Sequence, residues 1–338
     1  PVGNSNDLNI ILSEDTQTLD EVVVVGYGTQ KKQSLTGAIT AISSDDIQTT
    51  KSENLVNNIQ GKMPGLLIRQ KTGEPGEFDN MISIRGYGDP IIVIDGVTRE
   101  KSDFSQLNSE DIENITILKD ASAAIYGMNS ANGVIIVTTK KGVAHKTRVS
   151  YSGLFGMKHA TGMEETVDAL TYREMENEMA RNGKKAVAFE DDILEDFRKG
   201  RLRDWDWLDM YMNDYAFQTS HTMSIRGGSE KVQYFTSFGY NRDNGLLKSG
   251  VQYYERYNFR SNVTAELTKG LTMNVNVSGR WDQTQRPREP FVWTFKTLLV
   301  NDRGVGPYAI GSTDHFSKIG PEDKNPAALV DPTVDGYR

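Results

Sequence analysis

The chain has 338 residues, room for roughly two domains at about 150 residues each, with 38 Lys and Arg against 46 Asp and Glu and a formal charge of −8. That acidic balance argues against a general nucleic-acid binder, whose phosphate contacts need a basic surface. The absence of cysteine excludes thiol catalysis, iron–sulfur clusters and cysteine zinc sites, while 31 glycines, 14 tyrosines and 12 phenylalanines suit a β-rich fold.

Pro1–Asn6 has neither the basic start nor the apolar stretch of a signal peptide. No window approaches 18 consecutive apolar residues, so a membrane-spanning helix is not expected. A β-barrel is then the one route across a membrane open to this chain. Residues 6–12 alternate weakly, like the last strand of an earlier unit, and a polar stretch over 13–18 follows. Next comes Leu19-Asp20-Glu21-Val22-Val23-Val24-Val25-Gly26-Tyr27-Gly28. Taken alone, four valines read as a buried core strand; the other reading is a donor strand for another protein's sheet edge.

Residues 31–142 read as a compact α+β domain. Ser52 is placed to cap a short helix carrying Leu55, Val56 and Ile59, with Gly61 closing it. Short strands are expected over 81–85 and 91–94, the second ending in an Asp95-Gly96 turn. Ser109 is expected to cap a helical turn before a strand over 115–118. Asp120 caps a small-residue helix over 121–126 closed by Gly127, and Asn132-Gly133 turns the chain into a strand over 134–139.

After Gly142 five segments alternate apolar and polar residues with period two. Their apolar rows are Val149, Tyr151, Phe155, Met157; Phe217, His221, Met223, Ile225; Val232, Tyr234, Phe238, Tyr240; Tyr253, Tyr257, Phe259, Val263; and Leu271, Met273, Val275, Val277, Trp281. The segments are long enough to cross a bilayer, which takes about 9–11 residues, whereas soluble strands average about 5–6. Aromatic residues gather towards the segment ends, as interfacial girdles do. Tight turns at 227–230 and 267–270 alternate with longer connections at 241–250 and, above all, 159–214. A barrel needs at least eight strands to close, so five cannot be the whole of one.

Within the long connection, Phe189, Ile193, Leu194 and Phe197 share a helical face that ends at Gly200. Residues 164–208 hold 13 acidic and 8 basic side chains, read as a charged surface. Asp204-Trp205-Asp206-Trp207 sets rings beside carboxylates, a composition that holds sugars and equally one that anchors a loop by packing. Residues 286–338 read as another large loop. His145, His159, His221 and His315 show no ligand spacing, Gly86-Tyr87-Gly88 lacks the third glycine of a dinucleotide fingerprint, and acidic pairs such as Asp191-Asp192 read as a solvated helix face. Neither an enzyme nor a cofactor is expected.

The order of motifs resembles a SusC/RagA-type TonB-dependent transporter. The resemblance is carried by Leu19 to Gly28, by Leu35-Thr-Gly-Ala-Ile-Thr40, Ile82-Ser-Ile-Arg-Gly86 and Ile92-Val-Ile-Asp-Gly-Val97, by Leu118-Lys-Asp-Ala-Ser-Ala-Ala-Ile-Tyr-Gly127, and by Asn132-Gly-Val-Ile-Ile-Val-Thr-Thr-Lys-Lys-Gly142. It implies an α+β plug domain followed by the start of an antiparallel transmembrane β-barrel, 22-stranded in the family, with about five strands visible here. Residues 1–19 resemble the end of a carboxypeptidase-regulatory-like extension and 20–30 a Ton-box-like segment and linker; 31–142 is the plug, and 147–338 the first strands and external loops. Asp20, Glu21, Val22, Val23, Val24, Val25, Gly26, Tyr27 and Gly28 are the implied contacts of the energy-coupling protein TonB. Arg85, Tyr87, Asp89, Trp205 and Trp207 are the candidate substrate contacts. The interval from Gly86 to Pro90 is short for the family. The implied setting is the bacterial outer membrane, among its lipid, with a SusD-like surface lipoprotein as lid. Dimers of transporter–lipoprotein pairs are compatible with it. The implied activity is import of an oligosaccharide, or of a peptide by the same route. A TonB-dependent signal transducer and a soluble sugar-binding or hydrolytic β-sandwich are the competing readings.

Overall fold

The structure, a computed structural model, describes residues 22–25, 28–31, 39–287, 289–317, 325–331 and 333. Residues 6–18, and with them Asp20, Glu21, Gly26 and Tyr27, lie outside the described residues. Val22–Val25 (β1) pairs antiparallel with Gly28–Lys31 (β2), Val25 opposite Gly28.

The first domain is built on a five-stranded sheet. Its strands are Ile39–Ser43 (β3), Ile91–Ile94 (β6), Val97–Arg99 (β7), Ile112–Leu118 (β8) and Val134–Thr139 (β9), in the order β3-β8-β9-β6-β7. Only the β6–β9 pair is parallel. Leu66–Arg69 (β4) and Met81–Ile84 (β5) form a separate antiparallel hairpin. β6 and the first four residues of the central strand β9 are apolar without a break because both faces of the sheet are covered. On one side Ile92, Ile94, Ile115, Ile117, Ile135 and Val137 pack with Leu55, Ile59 and Phe104. On the other, Val93, Val134 and Ile136 pack with Leu118 and Ala123. Each buried Ile or Val contributes about 1.5–3 kcal/mol.

The helices here are single turns, Ser44–Gln48 (α1), Leu55–Ile59 (α2) and Lys101–Ser105 (α3). The expected caps shift by one or two positions. Asn54, not Ser52, caps α2, its Oδ1 accepting from Val56 N at 3.1 Å, while Ser52 Oγ accepts from Asn54 N. Asn108, not Ser109, caps the 3-10 turn Ser109–Asp111, accepting from Glu110 N at 3.1 Å. Asp120 is the first residue of a 3-10 helix ending at Tyr126, with Lys119 in the cap position and no side-chain cap bond. The Asp95-Gly96 turn joins β6 to β7 with both residues at positive φ, 49° and 85°. The Asp95 carboxylate accepts from Thr139 N at 2.9 Å and Thr139 Oγ1 at 2.7 Å, fixing the turn to the end of β9.

The second part is an antiparallel meander of five long strands: Arg148–Lys158 (β10), Ala216–Gly228 (β11), Val232–Asn244 (β12), Tyr253–Thr268 (β13) and Leu271–Gln285 (β14). Each coincides with one of the period-two segments. No helix among the described residues is long and apolar enough to cross a membrane.

Above the long-connection end of this sheet sits a layer of helices: Ala169–Asn182 (α4), Asp191–Arg198 (α5), Trp207–Tyr211 (α6), Phe291–Val300 (α7) and Pro326–Val330 (α8). Of these, α6, α7 and α8 enclose a second core of Trp207, Leu208, Met212, Leu247, Leu298 and Val330. The region past residue 286, expected as loop, thus supplies half of a packed unit.

Candidate functional site

One face of the meander lies against the first domain, and that seam is largely polar, with Phe235 and Tyr254 its fully buried aromatic side chains. Period two places Thr222, Ser237, Asn241, Asp243, Arg256, Arg260 and Asn262 on this face, and all are buried. Thr222 Oγ1 accepts from Asn108 Nδ2 at 3.0 Å, and Ser237 Oγ donates to Asp111 Oδ1 at 2.6 Å. Asn262 Nδ2 donates to Thr139 Oγ1 and to the Lys140 carbonyl, both at 2.8 Å. Arg256 donates to the carbonyls of Gln106 (2.9 Å) and Glu53 (3.1 Å).

The charges across the seam are complementary. The sheet side contributes arginines: Arg226 to Glu113 at 3.2 Å, Arg260 to Asp95 and Asp111 at 3.5 Å each, and Arg280 to Asp103 at 3.8 Å. Arg286, just past β14, pairs with Glu77. Burial pushes the Asp111 carboxyl above its usual range, while Ser237, Arg260 and Lys140 pull it back. Burial raises Glu74 too, against the nearby Arg286. Several buried polar atoms along the seam have no protein partner, among them Glu53 Oε2, Asn241 Oδ1, Gln106 Oε1 and Asn262 Oδ1. A seam made largely of hydrogen bonds and ion pairs can part and reseat more readily than a sealed apolar core, since water can replace each lost bond.

The opposite face of the meander is apolar and uncovered. Phe155 is 80% exposed, Phe217 62% and Val277 51%, with Val149, Met223, Phe238, Phe259 and Val275 on the same face. His221, Tyr240, Tyr257 and Trp281 stand directly opposite one another across four strands, with ring centroids 4.9–6.3 Å apart. Tyr151 completes the row through a 2.6 Å bond between its hydroxyl and His221 Nδ1. Beyond that row, towards the long connections, Arg242 and Glu255 come to the same face, opposite each other in register. Apolar rows bounded by tyrosine and tryptophan, then by charge, match a lipid-facing band with its interfacial girdle.

The candidate substrate contacts do not converge. Arg85, Tyr87 and Asp89 fall on the exposed loop after β5. Arg85 has φ 55° and its N–H bonds the Gly65 carbonyl at 2.8 Å. Tyr87 is 62% exposed, and Asp89 lies 3.5 Å from Lys101. Trp205 and Trp207 belong to the helix layer instead. Trp205 carries the Arg203 guanidinium 4.2 Å over its ring. Trp207 is 1% exposed, sits in the second core, and donates Nε1–H to the Asp302 carbonyl at 3.2 Å. The expectation of a ligand contact at Trp207 is therefore corrected: the side chain has no free surface and anchors the loop by packing.

Sequence reasoning passed over the clasp beside that tryptophan. Arg173 of α4 forms a two-pronged pair with Asp302 at 3.0 Å, its guanidinium between the rings of Phe189 and Phe197. The next residue, Arg303, pairs with Asp204 and Asp206. The neighbouring opposite charges Asp302-Arg303 were the available signal. Among the described residues no group of three or more His, Cys, Asp or Glu is arranged to hold a metal ion.

Comparison with known proteins agrees with this architecture. The family described as TonB-dependent Receptor Plug Domain matches residues 31–134. TonB-dependent receptor P26 of Formosa agariphila is 34% identical over 288 residues, covering 82% of this chain and 28% of that protein. TonB-dependent receptor SusC of Bacteroides thetaiotaomicron is 36% identical over 257 residues, covering 72% of this chain and 24% of that protein. The fold matches the RagAB peptide importer in its open-open state with a TM-score of 0.69 at 21% identity, over 88% of this chain and 36% of that one. The chain thus spans about a quarter of the length of the two receptors it matches. A plug domain followed by antiparallel strands of a partial barrel, with these relatives, places the chain in its family: it belongs to the SusC/RagA-type TonB-dependent receptors.

Proposed function

We propose that the protein imports a nutrient across the bacterial outer membrane by TonB-dependent displacement of its plug. The observation that carries this reading is the two-faced sheet, apolar and open on one side, polar and filled by the plug on the other. Residues 31–142 are the plug and 147–338 the first strands and external loops of the barrel. Residues 1–19 are the end of an N-terminal extension, and 20–30 carry the TonB contact. TonB adds a strand to the segment from Asp20 to Gly28, held by main-chain hydrogen bonds, and force on it parts the plug–wall seam. The extended backbone of Val22–Val25 supports that role.

The ligand is an oligosaccharide, delivered by a SusD-like lipoprotein lid over the helix layer. Tyr87 supplies a ring for stacking and its neighbours Arg85 and Asp89 two charges for hydroxyl groups, with Trp205 of the helix layer a separate contact. The test is uptake by cells carrying the full-length receptor, with Val23→Pro to block strand addition. Binding of ligand to the purified receptor is retained while uptake is lost. Uptake unaffected by Val23→Pro overturns the TonB assignment, and binding of peptides but not glycans replaces the ligand class.

A further inference from the structure

Glu53, at the start of the plug segment that leads into α2, faces the wall near Lys158 of β10, Asp243 of β12 and Arg256 of β13. Its Oε1 accepts from Gly76 N at 3.4 Å, and its Oε2 is buried with no partner. Across the seam stands Asp243 of β12, 3% exposed and within hydrogen-bonding reach of the Glu53 carboxyl. Two cations stand beside the carboxyls. Lys158 of β10 pairs with Asp243. Arg256 of β13 spends its two terminal nitrogens on main-chain carbonyls. The remaining titratable neighbours are Tyr254 of β13, whose hydroxyl has no partner, and Glu74 of the plug, bonded to Gln252. Two carboxyls from two domains therefore meet in a buried pocket, with one cation bonded to Asp243.

We propose that Glu53 and Asp243 hold one proton between them across the seam, and that withdrawing the plug releases it. In the seated plug Glu53 is the acid, its O–H donating to the Asp243 carboxylate, which fills the orphaned oxygen. Burial first, and then the Asp243 charge, push the Glu53 carboxyl up to about 8, against the pull of Lys158 and Arg256. In water a glutamate returns to about 4.3, so at neutral pH the O–H bond breaks on withdrawal and the proton goes to solvent. The seated state binds more protons than the withdrawn state between these two values. Withdrawal therefore becomes easier as pH rises through that window, by up to tenfold per pH unit for one proton, and is independent of pH outside it.

The proposal rests on the reading of the first domain as a removable plug, and the experiment separates the two. Hydrogen exchange of the plug amides over 44–60 is followed in the full-length receptor in detergent from pH 5 to 8, corrected for intrinsic exchange. The opening constant is expected to rise by up to tenfold per unit in the wild type. It is expected to be flat in Glu53→Gln, whose amide keeps the shape and a donor without the proton. Asp243→Asn alters the wall rather than the plug and serves where Glu53→Gln does not seat; it leaves Glu53 buried but frees Lys158 to pair with it and ionise it, and is expected to flatten the line as well. A flat wild-type line, or an equal slope in the variant that seats, overturns the shared proton. If nutrient uptake is normal in that case, the import reading stands without it.

Discussion

Ser237 of the wall donates a 2.6 Å hydrogen bond to Asp111 of the plug, deep in the seam. Arg260 reaches the same carboxylate, and Asp95 as well, at 3.5 Å. One arginine thus compensates two carboxylates that are almost out of reach of water. Arg260→Ala removes the arginine they share, leaving Asp111 with Ser237 and Lys140 and Asp95 with Thr139, and is expected to cost about 3–5 kcal/mol of plug seating, as for one broken buried pair. Ser237→Ala removes one bond to a charged group and is expected to cost about 1.5–3 kcal/mol. The denaturant concentration at which the plug leaves the wall measures both.

Gly76 presses its backbone against the wall at the other end of the seam. Its φ is 75°, and a β-carbon there would come within 2.8 Å of both Thr284 Oγ1 and the Tyr254 ring. Gly76→Ala combines a disfavoured backbone with an overpacked contact and is expected to weaken seating by about 1–3 kcal/mol. The same denaturant titration checks it, with Gly73→Ala, where nothing lies within 4 Å, as the neutral control.

The two faces of β14 give a sharper contrast. Val277 lies on the apolar face in mid-strand and its neighbour Asn276 on the polar one. Val277→Arg is expected to cost about 2–4 kcal/mol of insertion stability if that face meets the bilayer midplane. Asn276→Arg is expected to change stability little. Folding of the full-length receptor into lipid vesicles measures both, and equal costs would remove the lipid assignment of that face.

Trp207 and Trp205 should separate in the same way. Trp207→Ala empties the second core and is expected to destabilise the helix layer by about 3–5 kcal/mol. It should appear as faster trypsin cleavage at the arginines of residues 159–215. Trp205→Ala should leave the digestion pattern intact and lower ligand affinity instead.

The strands were legible because one face is apolar and uncovered and the other is polar and set against the first domain, which imposes a strict period of two, and all five segments coincide with β10 to β14. The plug strands were legible where they run through the core, as at Ile91–Ile94 and Val134–Thr139. α4 escaped because its buried positions are Ala169, Arg173 and Asn177. That row is held by polar contacts rather than grease: Arg173 to Asp302, and Asn177 to the backbone of Ala188 and Phe189. α7 escaped for the opposite reason, since Phe291–Val300 is apolar nearly all round and shows no stripe. The caps went astray because Ser52, Asn54, Asn108 and Ser109 all have capping side chains, and only backbone geometry decides between neighbours. In the seam, sequence supplied the polar rows but not which carboxylate each arginine meets, because those partners lie more than a hundred residues apart.

Asp302 and Arg303 reach back in opposite senses, one to Arg173 and the other to Asp204 and Asp206. Reversing the sign of one alone would set two like charges face to face, whereas exchanging both ends of a couple restores it. The two excursions that rise from separate strands are thereby yoked into a single lever. Displacing either one would therefore pull on its companion through these pairs.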